Sequence, residues 1–151
     1  MVRSSIYEYV GGEPAFLRLA HALHKRCLAD PVLNHPFGRP GLRPDHIERL
    51  GRYLAEAFGG PQLYSGTYGG ETFVQEVHAC NEPHEEMYGR FLDCFTLAID
   101  DAGFPDDPAL RSSMRSSMEQ ALIGMKQYAP AGSVVPPGLP MPRWSWRADT
   151  D

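Results

Sequence analysis

The chain has 151 residues, 42% apolar and 22% charged, with a formal net charge of −5 and a pI near 5.6. That length and apolar content suit one folded domain with a real core, and they exclude wholesale disorder. The acidic balance, without any block of Lys and Arg, speaks against nucleic acid as a partner, and no apolar run is long enough to span a membrane.

The N-terminus, Met1 to Val10, has no apolar core ahead of a small-residue cleavage site. It is therefore not expected to be a signal peptide, and a cytoplasmic address follows. Cys27, Cys80 and Cys94 are odd in number and lack Cys-x-x-Cys spacing. They read as buried thiols, not as a disulfide framework or a zinc site.

Gly11-Gly12 marks a turn after the opening residues, and Glu13-Pro14 opens a helix with proline near its first position. Phe16, Leu19, Ala20, Leu23 and Cys27 form one stripe along it, with His24 on the stripe's edge and able to look inward. Asp30-Pro31 ends this helix. Residues 34–40, rich in Pro and Gly, read as a loop or tight non-helical corner carrying Phe37, either a surface plug or a wedge into a cavity.

A second helix starts near Pro44-Asp45, with Ile47, Leu50, Leu54, Ala57 and Phe58 as its stripe and His46 heading the same face. Gly59-Gly60-Pro61 stops it, and a polar, glycine-rich loop covers 61–71. In the stretch Thr72 to Asn81, Phe73, Val74 and Val77 fall at helical spacing, with His78 at the C-terminal edge of that short apolar face. A neutral imidazole presented there can ligate a metal, although a lone histidine beside an apolar face is more often simply packed.

Glu82-Pro83 is expected to open the next helix, with Met87, Phe91, Cys94, Phe95, Ala98 and Ala102 as its stripe. Asp106-Asp107-Pro108 caps the last helix, whose buried side carries Leu110, Met114, Ser117, Ala121, Leu122 and Met125. From Pro130 onward the composition turns to Pro, Gly and Val, then Trp144 and Trp146; this is a tail, with both tryptophans expected to pack on the body. The organisation expected is five or so helices and no sheet, with a domain at 1–129 and an extension at 130–151.

His84-Glu85-Glu86 begins like a zinc-protease helix but lacks the second histidine. No nucleophile elbow, phosphate loop or dinucleotide fingerprint occurs, and the carboxylates form no inward pair. His21 and His35 read as solvated. What remains is a small helical domain with His24, His46 and His78 each on or beside a buried stripe.

That arrangement resembles a truncated hemoglobin, more closely the group II branch, over most of residues 4–128. The resemblance is carried by Ser5 to Gly12, Asp30-Pro31-Val32-Leu33, Arg49-Leu50, Gly59-Gly60-Pro61 and His78-Ala79, in this order and spacing. It implies a two-over-two helical sandwich around heme b, with His78 as the proximal iron ligand and Phe37 as the aromatic wedge. His46 falls at the distal position facing bound gas, with Leu50 and Leu54 along the same wall, and Phe73 and Val77 on the proximal side. Arg49 and Tyr64 are candidates for the propionates. Phe91 stands where the branch usually carries tryptophan and His24 where it usually carries tyrosine, so imidazole N–H groups replace phenol and indole as donors.

The function implied is reversible binding of dioxygen, or of CO or NO, at a five-coordinate, histidine-ligated iron. The alternative is a heme enzyme that removes peroxide or nitric oxide, using the distal histidines and an external reductase as electron donor. A third reading is a cofactor-free helical domain whose tryptophan tail docks a partner. The expected state is a monomer or homodimer, with no nucleic acid and no membrane as partner.

Overall fold

The structure, a computed structural model, describes residues 3–38, 42–82 and 84–148. Among them it contains seven helices and no strand. The all-α expectation holds. The count exceeds the sequence reading because two short helices, α1 (Ile6–Val10) and α3 (Asn34–Phe37), are set by caps and turns.

In α1, the Ser5 hydroxyl accepts from the Glu8 N–H at 3.1 Å, and Gly11 closes the helix in the left-handed region. For α3 the cause is Asp30. Its carboxylate accepts from the N–H groups of Val32 (2.8 Å) and Leu33 (3.1 Å), which turns the chain into a helical corner instead of the non-helical one expected. Arg39 and Pro40 of that corner lie outside the described residues.

The long helices are α2 (Glu13–Ala29), α4 (His46–Ala57), α6 (Glu85–Asp101) and α7 (Pro108–Lys126), joined by the short α5 (Glu71–His78). Helix α2 packs on α4, α6 packs on α7, and α2 meets α6 between the two pairs, giving the two-over-two sandwich. Phe16, Leu19, Leu23, Leu54, Phe58, Phe95, Ile99, Leu110 and Met114 are sealed in the core. A Cβ on Gly51 would come within 2.9 Å of the Leu17 side chain and 3.2 Å of the Phe16 carbonyl. The mid-helix glycine is therefore what lets α4 lie so close to α2, at a helix-propensity cost of about 1 kcal/mol.

Helix α6 starts at Glu85, not Glu82, and Pro83 lies outside the described residues. On α7 the fully buried serine is Ser113, while Ser117 is half-buried, so the inward face is rotated from the expected one. Cys27 and Cys94 are buried as expected, but Cys80 is exposed. It sits at φ 61° in the corner after α5, where its N–H donates to the Tyr128 carbonyl at 2.9 Å, and that turn holds its side chain outside.

After α7 the chain runs back over the body. Trp144 packs edge-on against Phe58 with centroids 5.0 Å apart, and Trp146 against Tyr9 at 5.2 Å. The Trp146 indole N–H donates to the Ser4 carbonyl at 2.8 Å. Both tryptophans pack, as expected from the cost of leaving large apolar rings in water.

Candidate functional site

Four predicted side chains converge. His24 on α2, Phe37 at the end of α3, His46 at the start of α4 and Phe91 on α6 form one aromatic cluster. The two imidazole centroids are 5.6 Å apart, Phe37 lies 6.2 Å from His24 and 6.1 Å from His46, and it stacks on Phe91 at 6.0 Å. The helical stripes carry His24, His46 and Phe91 there, at the edges of faces buried by the α2–α4 and α2–α6 contacts, and the α3 corner brings in Phe37. Leu50 packs against the same core, and Leu54 is sealed within it.

Burial holds the His24 ring below its ordinary value, with a further contribution from the charge of His21. The ring is therefore neutral at neutral pH, with one N–H donor and one lone pair. Its Nδ1 is buried and finds no hydrogen-bond partner among the described residues.

His78 stands apart from this cluster, as the last residue of α5. Its ring is exposed, and its Nδ1 lies 2.8 Å from the Val74 carbonyl one turn back. A carbonyl can only accept, so Nδ1 carries the hydrogen of the neutral ring and Nε2 presents its lone pair outward. Beside it on the same helix, Phe73 and Val77 remain 37% and 53% exposed. An apolar face left open next to an outward lone pair suits a flat apolar group bearing a metal.

Arg49 is turned toward its own helix, donating to Asp45 at 3.0 Å with its guanidinium 4.4 Å from the Tyr68 ring centroid. Tyr64 is buried, its ring 5.4 Å from Tyr53 and 5.3 Å from Tyr68, and burial raises its hydroxyl pKa.

Two inward carboxylates went unseen in the sequence. Glu56 accepts from the Tyr64 N–H (3.0 Å), the Ser65 N–H (2.8 Å) and the Ser65 hydroxyl (2.7 Å). It holds the start of the 61–70 loop against the end of α4. Glu71 accepts from the Tyr53 hydroxyl at 2.7 Å and the Gln75 amide at 2.8 Å, which hangs α5 from α4. Apart from Gln75, one turn along α5 from Glu71, their partners lie on other segments, so no spacing announced that they turn inward.

The model of a family described as bacterial-like globin matches residues 5–126. The group 1 truncated hemoglobin GlbN of Nostoc commune is 33% identical over 92 residues, 59% of this chain and 73% of that protein. The hemoglobin of Chloroflexus aurantiacus superposes with a TM-score of 0.68 at 30% identity, over 82% of this chain and 98% of that one. The group II truncated hemoglobin of Bacillus anthracis shares the fold at 19% identity, with a TM-score of 0.69 over 87% and 95% of the two chains. The chain belongs to the bacterial-like globin family and is a truncated hemoglobin, a heme-binding globin.

Proposed function

We propose that His78 is the axial ligand of a heme b and that the protein reversibly binds dioxygen, or another diatomic gas, on the opposite side of the iron. Heme b supplies a redox-active iron able to take a gas molecule at its sixth position. The observation carrying the reading is the His78 hydrogen bond to Val74, which leaves Nε2 as the outward lone pair beside an open apolar face. The residues fit the group on a second count, since the buried Nδ1 of His24 lacks a partner among the described residues.

In this reading Phe37 wedges the ring, while Leu50, Leu54, Phe73, Val77 and Phe91 line it and keep water out. Arg49, with donors beyond the one that meets Asp45, and Tyr64 serve the propionates. His24 and His46 offer ring N–H groups to a guest that carries partial negative charge. One such bond is worth roughly 1.5–3 kcal/mol, about a ten- to hundredfold change in retention. Residues 1–129 form the heme domain and 130–151 the extension. Within the family, the Ser5 to Gly12 start, Asp30 to Leu33, Arg49-Leu50, Gly59-Gly60-Pro61 and His78-Ala79 taken together favour a group II placement. Among the described residues no helix is long and apolar enough to cross a membrane, and we place the protein in the cytoplasm.

Absorption spectra of the hemin-loaded ferric, ferrous and ferrous-CO forms test this. High-spin unliganded forms and a normal CO complex are expected, both lost in His78→Ala. Low-spin bands without added ligand would mean histidine on both sides. A His78→Ala variant that loads heme at native strength with an unaltered axial signature would overturn the reading.

The enzymatic alternative is favoured by one observation, the pair of imidazoles 5.6 Å apart with His24 held neutral as a base. Peroxide turnover with a supplied reductant, lost in His24→Ala, would promote it over gas storage.

A further inference from the structure

Helix α5 carries His78 but has little apolar purchase on the body: the one residue it buries is Glu71, a carboxylate. Hydrogen bonds hold it instead, and one set comes from the C-terminal tail. The Thr72 hydroxyl donates to the Pro136 carbonyl at 2.9 Å and accepts from the Leu139 N–H at 3.0 Å. Further along, Arg143 Nη1 donates to the carbonyls of Glu56 (2.7 Å) and Gly60 (2.8 Å). The Trp144 N–H donates to Ala57 at 2.6 Å, and its ring sits on Phe58. The tail thus grips α5 near its start and α4 at its end.

We propose that residues 130–148 are a strap that positions the His78 imidazole, with Thr72 as the positioning residue where the strap holds the helix. This rests on the reading of His78 as axial ligand. Successive helical residues point about 100° apart around the axis. Glu71, held by Tyr53, and Thr72, held by the tail, therefore pin α5 from two directions and stop it rotating about its own axis. A rigid helix carries that orientation over the roughly 9 Å from Thr72 to His78. Rotation of α5 would swing the Nε2 lone pair away from its target, so strap contacts remote from the imidazole would govern how firmly it holds the iron of a bound heme.

The test uses the full chain loaded with hemin, as Thr72→Val, Thr72→Ser and Leu139→Pro, the last deleting the tail's N–H without touching α5. The readouts are the iron–histidine stretching frequency of the ferrous form and the rate of hemin transfer to excess apomyoglobin. Thr72→Val and Leu139→Pro are expected to load heme fully, shift the stretch and lose hemin about tenfold faster, while Thr72→Ser matches the wild type. If either Thr72→Val or Leu139→Pro leaves both readouts unchanged, even with a lower melting temperature, the contact only stabilises the fold and the proposal is overturned. A shift in Thr72→Ser equal to that in Thr72→Val also overturns it, since the hydroxyl would not be the tie. A wild-type stretch in His78→Ala would instead sink the ligand assignment, and the proposal with it.

Discussion

The two sides of the site are built by different physics. On the side we propose to be distal, His24, His46 and Phe91 are edges of faces already buried by α2, α4 and α6, with Phe37 brought against them from the end of α3. On the side we propose to be proximal, α5 keeps Phe73 and Val77 open and depends on hydrogen bonds to Tyr53 and to the tail. Packing between long helices is close to all-or-none, whereas a short helix on a few polar ties can shift without unfolding the core. On the proposed reading the contrast suits the tasks: a cage fixed by core packing for a small gas, and an imidazole whose orientation rests on a few polar ties.

The largest expected effect is the loss of heme retention in His78→Ala, read from the Soret band after gel filtration, with folding in the heme-free form unaffected. Next, Phe16→Ala is expected to cost about 3–5 kcal/mol in heme-free protein, because that ring is fully sealed in the core. Phe73→Ala is expected to stay within about 0.5 kcal/mol in the same urea melts, and equal costs would erase the contrast between the two sides. His24→Ala and His46→Ala are each expected to speed dioxygen loss by roughly ten- to hundredfold. Unchanged rates in both would remove the imidazole-held cage from the account.

A pH effect follows in size. Burial lowers the His24 pKa below its ordinary 6.5, so the unfolded chain takes up a proton there more readily than the native one. The stability contributed is complete above 6.5 and declines as pH falls below it. Urea midpoints of wild type and His24→Phe, measured on either side of that value, are expected to show a shallower acid decline in the variant. Smallest is the Arg26–Asp101 pair, at 2.6 Å but with side chains 40% and 36% exposed. Arg26→Ala is expected to shift the urea midpoint only slightly, and less at high salt.

Much of the His24–His46 cluster was legible in the sequence, because helical period places residues on a face whatever that face meets. The stripes on α2 and α4 located His24, His46, Leu50 and Leu54. Phe37 was placed by resemblance, but its short helix was not foreseen, since it depends on how Asp30 turns its carboxylate toward Val32 and Leu33. The inward rotation of α7 toward Ser113 escaped for a related reason. Serine is small and polar, and only the tail's Arg147 N–H, donating to its hydroxyl at 3.0 Å, gives it a buried role.

By itself the sequence determined the helical class, the faces of the long helices and the place of a histidine at the end of a short apolar one. These are local matters, decided by residues three or four apart. Only the tertiary structure decided that Glu56 and Glu71 turn inward, that Tyr53 meets Glu71 across 18 residues and that Thr72 meets Leu139 across 67. A buried polar group must find its partner wherever the fold brings one, and that partner leaves no period in the chain.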